Sequence, residues 1–504
     1  MARVALTDDN GALYGAPATW LNDRFALKGE TGNMTALADQ TGFRLFSDFT
    51  GTQNEGVPGA VVSDLADKYD PSPLATSLGS ATLNPDTDKV ITTAAHGLAV
   101  GDRVRFTTGS ELPGGVFMGG DYYVRSVTDA TTFDINNNAG FKVTWTATGT
   151  GNLYRWPLHT EWAALRDNGG VPNPRMRFVD GKPIQAGTTH PTRDWIKSDP
   201  SVLTFAPGTQ QGPKVAMETA VTSKSFDFLV AYYMGAATKV WVDGRLLRTF
   251  LPDEFVAKGI SPGGMGRVNV TFQSAVPRVL KVEVGNGYIC GVEAPDSAPI
   301  AYPPNASGAR VMVQGDSFTA GYGLGTTDMS YAGWVQKLTG WPDLWRCGSS
   351  GTGYVKDADR LALIDRWEND IVAQNPDRLI LAHGINDTGT APADVAAAAA
   401  TIIDGVRAAR PKIEIIVLGP WANRSPEFVS ANHRGIDTEL QKVAEARGLR
   451  FISPMQELWI TGNGYVGAEN GSGNADIYIS SDGLHPTAAG HEYLGRRLAG
   501  HLAL

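Results

Sequence analysis

The chain has 504 residues, of which 42% are hydrophobic and 19% charged, with a formal net charge of −9. That length implies roughly two to four domains, and the globular composition excludes a disordered chain, while the acidic balance excludes nucleic acid as the main partner. Only two cysteines occur, Cys290 and Cys347, so a disulfide framework is excluded and both read as buried thiols.

Residues 1–80 contain few periodic segments. Tyr14-Gly15-Ala16-Pro17 and Asp70-Pro71-Ser72-Pro73 read as extended chain and turns, with one strand at Leu45–Thr50. The stretch is expected to be an attachment or oligomerisation segment, or alternatively a frayed tail. Its start, Met1-Ala2-Arg3-Val4-Ala5, lacks the apolar core of a signal peptide, and no run in the chain approaches the roughly 18 apolar residues of a membrane span. Synthesis in a cytoplasm without a signal peptide is the expectation.

Residues 81–154 change to short alternating runs: Lys89-Val-Ile-Thr-Thr, Gly101-Asp-Arg-Val-Arg-Phe, Asp121-Tyr-Tyr-Val-Arg-Ser-Val and Thr131-Thr-Phe-Asp-Ile. They predict a small all-β module. His96 reads as a turn residue and not a metal ligand, because no second His or Cys lies at ligand spacing. The ordered His-Gly-Leu, Gly-Asp-x-Val, Tyr-Tyr-Val and Thr-Phe-Asp-Ile blocks resemble a β-module that recurs in phage tail and tail-fibre proteins, and this resemblance implies a virion.

Residues 155–300 open with Trp156, Trp162 and Trp195 among prolines and charges; they read as packing residues, with a sugar platform as the alternative. Strands then return at Phe226–Tyr233, Thr238–Arg245, Gly266–Phe272 and Arg278–Val284 with apolar and polar residues alternating. A jelly-roll-like β-sandwich is predicted. It resembles the sandwich that precedes the hydrolase domain in some carbohydrate esterases and phage esterases. Pro295–Ser307, with Pro299, Pro303 and Pro304, is the expected linker.

Residues 309–504 alternate strands at Arg310–Gln314, Arg378–Ala382, Ile413–Gly419 and Leu449–Ile452 with helices at Ala358–Gln374, Pro392–Arg410, Pro426–Arg447 and Thr487–Leu504. This order predicts an α/β three-layer domain with a parallel sheet. The first strand ends at Gly315-Asp316-Ser317, so the Ser317 hydroxyl lies where open α/β sheets keep their ligand crevice. The alternative is that Asp316-Ser317 caps the next helix. A serine hydroxyl needs a base to become a nucleophile, and an imidazole serves best when a carboxylate fixes its tautomer. Asp482 and His485, three positions apart, supply both from one loop, and Pro486 is expected to start the closing helix. Gly348–Gly353 and His383-Gly-Ile-Asn-Asp387 offer backbone and amide donors for an oxyanion.

Gly-Asp-Ser, a glycine block, Gly-Ile-Asn-Asp and Asp-x-x-His, in that order, resemble the SGNH (GDSL-type) esterase and acetylhydrolase family over residues 309–504. The resemblance implies that Ser317 is the nucleophile, His485 the general base and acid, and Asp482 its orienting partner. It implies an oxyanion hole of the Ser317 N–H, the Gly351 N–H and the Asn386 side chain. Gly348 and Gly353 stand close enough to compete with Gly351, and Arg346 occupies a place where many members carry Asn. His383 reads as a cleft wall, since triad chemistry requires one base. No metal or organic cofactor is implied. Together the domains suggest an acetylesterase that is a phage tail or baseplate component, a minor tail protein deacetylating a host cell-surface polysaccharide. Its partners would be that glycan and other virion tail proteins, and a homo-oligomer, possible as a trimer, is expected. The alternatives are a structural or glycan-binding tail protein with little turnover and a bacterial carbohydrate esterase. No lid-like segment flags a lipase, although Trp341, Trp345 and Trp421 leave room for a longer acyl chain.

Overall fold

A computed structural model describes residues 3–7, 13–17, 57, 59–165, 171–185, 196–198, 214–231, 237–285, 287–304, 308–324, 329–358, 360–464 and 473–502. The strand expected at Leu45–Thr50, Trp195 and the end of the expected linker at 305–307 lie outside the described residues. Near the start, Arg3–Thr7 pairs antiparallel with Leu13–Pro17.

Six strands between Thr76 and Arg155 close into a barrel. Alternation makes this possible, because every second side chain can point inward. Leu83, Val90, Val104, Phe106, Phe133, Ile135 and Leu153 meet in its core. His96 is buried beside Phe133, and its Nδ1 accepts a hydrogen bond from the Leu98 N–H (2.9 Å), which stabilises the turn.

The next unit is built on two long antiparallel strands, Lys214–Ala231 and Met265–Gly285. Among the described residues, twelve strands hydrogen-bond as one continuous set, where the expected jelly-roll-like sandwich would have two separate sheets. The register of the long pair shifts between Ser223 and Ser225, as at a bulge, and one apolar core gathers residues from both sides of the shift, including Met217, Phe226, Phe228, Val268 and Val282. Two further features depart from the sequence reading. Val61–Val62 and Ala66–Asp67, within the expected attachment segment, add to this sheet by pairing with Met265–Gly285. Ile300–Ala301, within the expected linker, pairs with Ala220 and Val221, and the Pro299 carbonyl accepts the Thr222 N–H. Proline removes a donor but keeps its acceptor, so a proline-rich stretch can still edge a sheet.

Residues 310 onward form a parallel sheet of β1 (Arg310–Gly315), β2 (Asp343–Gly348), β3 (Arg378–Ala382), β4 (Glu414–Leu418) and β5 (Arg450–Ile452) in the order β2-β1-β3-β4-β5. Period-two alternation sends Val311, Val313, Ile380 and Ile416 to one face and Met312, Leu379, Leu381 and Val417 to the other. On the first face pack α2 (Tyr331–Thr339) and α5 (Ala488–Leu502); on the second pack α3 (Pro392–Ala409) and α4 (Ala431–Glu445). The short α1 (Ser317–Ala320) follows β1 directly.

The expected helix at Ala358–Gln374 is replaced by one short α-helical turn, Trp367–Asp370, between two 3-10 turns. Its amides have other partners: Leu363 and Ile364 donate to the carbonyls of Gly353 and Tyr354, and Ala362 donates to the Asp357 carboxylate. Pro486 likewise does not start the closing helix. It pairs as an isolated bridge with Ile479, and α5 begins at Ala488.

The three units are joined by buried charge. Glu293 of the sandwich accepts Arg105 of the barrel (2.9 Å) and Arg267 of its own sheet (2.8 Å), and both guanidiniums lie over Trp156. Asp180 accepts Lys281 and Lys214 from the sandwich, and Gln336 from α2. Its N–H donates to Asp343 on β2.

Candidate active site

The strand order reverses direction between β1 and β3, which is where open α/β sheets form their crevice. Gly315 is level with Gly348 on one side and Ala382 on the other. The segments after β1, β2 and β3 therefore leave the sheet together at one edge.

Ser317 is the first residue of α1 and is 5% exposed. Asp316 caps this helix, its Oδ1 accepting the Phe318 N–H (2.9 Å). Capping and delivery of the serine thus coexist in Asp316-Ser317. The Ser317 Oγ lies 2.8 Å from His485 Nε2, and His485 Nδ1 lies 2.6 Å from Asp482 Oδ2. An ionised carboxylate only accepts, so Nδ1 carries the proton and Nε2 presents its lone pair to the serine O–H.

The loop holding this pair is tightly bonded. Asp482 Oδ1 accepts the Ser480 hydroxyl and the N–H groups of Leu484 and His485. Ser480 N–H donates to the His485 carbonyl, and Asn423, just beyond β4, donates to the Gly483 carbonyl. Burial would raise the Asp482 pKa, but the His485 ring and these donors outweigh it and hold the carboxyl well below the usual carboxylate range.

The glycine block after β2 reaches the same edge. Ser349 N–H donates to the Gly315 carbonyl, and Gly351 adopts the left-handed region with φ of 75°. Asn386 Nδ2 donates one proton to the Thr352 carbonyl (3.0 Å), which fixes the amide plane and leaves its second N–H for another acceptor. Asp387 clamps the same loop by accepting three backbone N–H groups, those of Tyr354, Val355 and Lys356. Thr352 also accepts Arg366 on its hydroxyl, and Arg366 pairs with buried Asp370.

His383, expected as a cleft wall, is instead 1% exposed and packed edge-on against Tyr354. Burial first, and then the Arg366 charge, push its imidazole down to about 3, so it stays neutral. Trp345 and Trp421 are buried too, Trp345 donating to Asp343 and Trp421 stacking on Phe318 at 5.5 Å. Neither is an open wall for an acyl chain. Arg346 is buried on β2. Among the described residues, no group of three His, Cys, Asp or Glu is arranged to hold a metal ion, and no helix is long and apolar enough to cross a membrane.

Sequence reasoning did not single out Thr352 or Asn423, although both are polar residues shortly after a strand end. It also passed over Tyr322, whose ring stacks on His485 at 4.2 Å with 28° between the planes. Its setting between Gly321 and Gly323 was the available signal.

Residues 313–493 match the GDSL-like lipase/acylhydrolase family, and the C-terminal part of the chain is a domain of that kind. No curated protein matches the chain. Among solved structures, a salicylyl-acyltransferase of a tetracycline biosynthetic pathway aligns with 16% identity and a TM-score of 0.46, covering 68% of this chain and 98% of that one. A family two carbohydrate esterase from Clostridium thermocellum, solved with cellohexaose, aligns with 16% identity and a TM-score of 0.41, covering 58% and 92%. One from Cellvibrio japonicus gives 14% identity and a TM-score of 0.41, covering 68% and 97%.

Proposed function

We propose that the chain is a serine carboxylic-ester hydrolase that removes acetyl groups from a polysaccharide, acting on a host cell surface as a phage tail component. The continuous line of hydrogen bonds from Ser317 through His485 to Asp482 is the observation that carries the enzymatic reading. His485 Nε2 takes the hydroxyl proton as Ser317 Oγ attacks the ester carbonyl carbon, and Asp482 faces the imidazolium that results. The oxyanion is met by the N–H groups of Ser317 and Gly351 and by the second N–H of Asn386. The bond to the leaving alcohol then breaks as His485 returns its proton to that oxygen. Water, deprotonated in turn by His485, opens the acyl-enzyme and releases the acid.

A short acyl group is supported by the packing of Phe318 on Trp421, which fills apolar space beside the nucleophile. The polysaccharide and tail readings rest on the blocks within residues 81–154 and on the β-rich units joined to the hydrolase domain.

The test is acetate release from p-nitrophenyl acetate and from an acetylated glycan. Ser317→Ala should lose at least about 1000-fold in kcat, and Asn386→Ala about 100- to 1000-fold. Equal trace rates in wild type and Ser317→Ala would leave a glycan-binding or structural tail protein as the better account.

A further inference from the structure

Tyr322 lies five positions after Ser317, and its N–H donates to the Ser317 carbonyl (3.0 Å). Gly321 and Gly323 on either side take φ of 74° and 80°, a region open to glycine at little cost. The chain can therefore fold back over the nucleophile, and the Tyr322 ring lies 4.2 Å from the His485 ring at an angle of 28°. Tyr322 remains 38% exposed. The ring is thus part of the cleft rim and a cover for the imidazole at the same time.

We infer that Tyr322 is a positioning residue for His485, its π face holding the imidazole between Ser317 and Asp482 and favouring the imidazolium that forms when the serine attacks. The inference rests on the ester-hydrolysis reading of this site. An aromatic face attracts a cation by its quadrupole, and the attraction appears only once the ring has taken the proton. It therefore acts on the transition state more than on the resting enzyme. The other titratable groups around the ring are Asp482 on its own loop and His491 on α5, with Asp316 one residue before Ser317. His491 is buried and pushed down to about 3 by burial first and the His485 charge second, so it is neutral. Asp482 is ionised. Neither changes state across the neutral range. Asp316, raised to about 7 by burial, does, but its bond is to the Phe318 N–H and not to Tyr322. It therefore titrates alike in both proteins, and the difference between wild type and the Tyr322 variant belongs to the stacked pair. Phe318 also approaches His485, at 5.7 Å and a 44° tilt, but it is buried and fixed by Trp421.

Two substitutions separate the π face from mere bulk. Tyr322→Phe keeps the ring and should retain kcat within about twofold of wild type, whereas Tyr322→Leu covers the imidazole without a π face. In Tyr322→Leu the pH of half-maximal kcat/KM on the acid side should fall by about 0.5 unit, with kcat down about threefold and KM little changed. A readout independent of turnover is the NMR titration of the His485 ring in the Ser317→Ala background, assigned against His485→Gln. The same downward shift should appear there on replacing Tyr322 by Leu. An unchanged titration, or a change confined to KM, would overturn the inference and make Tyr322 a wall for substrate. If the esterase reading itself fails, Ser317→Ala will equal wild type in rate while the NMR shift still reports on the stacked pair.

Discussion

At the scale of single residues, Asp316 is unusual because it combines a capping role with full burial beside the nucleophile. One carboxylate oxygen accepts Phe318 N–H, while the other has no hydrogen-bond partner among the described residues. Burial first, with the Asp387 charge adding to it against the Phe318 bond, raises its pKa to about 7. In the unfolded chain an aspartate titrates near 3.9. Between those values the native state binds the proton more tightly, so the contribution of Asp316 to stability falls as pH rises from about 4 to about 7. His383, His433 and His491 work in the opposite sense: burial pushes them down to about 3, about 4 and about 3. Their contribution is lost as pH falls below about 6.5. Asp316 is therefore read by difference. Asp316→Asn should gain on wild type in the unfolding free energy read from urea melts at pH 8 compared with pH 5, by an amount on the order of 2–4 kcal/mol. A gain of equal size at both pH values would contradict the burial argument.

At the scale of elements, the site depends on how closely the loop after β2 approaches α1. A Cβ on Gly348 would stand 2.1 Å from the Ala320 nitrogen and 2.6 Å from its Cα, and backbone cannot yield as a flexible side chain can. Gly348→Ala should move α1 and Ser317 with it. Overpacking of this kind costs about 1–3 kcal/mol, yet a misplacement near 1 Å can cost about 100-fold in rate. Turnover should fall far more than the denaturation midpoint, with circular dichroism unchanged. The same scale explains what could be seen in advance. Strands β1, β3 and β4 were legible from their apolar runs, and Ser317, Asp482 and His485 from short contiguous motifs at the ends of elements. The segment 358–374 was not legible, because its apolar spacing suits a helix while its amides bond to Gly353, Tyr354 and Asp357. Tyr322 and Asn423 escaped for a related reason. Their partners, His485 and Gly483, lie far along the chain, and the glycines beside Tyr322 mark a turn without naming the ring it meets.

At the scale of the whole molecule, barrel and sandwich share a buried ionic centre. Burial would raise the Glu293 pKa, but Arg267 and Arg105 outweigh it and hold the carboxylate at about 2. Their geometry satisfies both oxygens: Oε1 meets Arg105 and Thr160, and Oε2 meets Arg267. Removing one partner of a buried pair leaves uncompensated charge and costs about 3–5 kcal/mol. Glu293→Gln should lower the first calorimetric transition and separate it from that of the hydrolase domain, whose contact with the sandwich at Asp180 and Asp343 does not involve Glu293. Esterase activity at moderate temperature should stay within about twofold of wild type, because none of these residues contacts the Ser317 site.

The early strand pieces at Val61–Val62 and Ala66–Asp67 find their partners in Thr271, Val270, Arg267 and Gly266, about 200 positions later, with the complete barrel made in between. A chain emerging from a ribosome at roughly 5–20 residues per second would hold those segments unsatisfied for about 10–40 seconds. The barrel, whose six strands all find their partners between Thr76 and Arg155, can close during that wait. The sandwich cannot, and its long-range pairing places it among the slow-forming topologies. The order of assembly is thereby written into the chain: the inserted unit matures first, and the unit that surrounds it in sequence is finished only when the later strands return to collect the earlier ones.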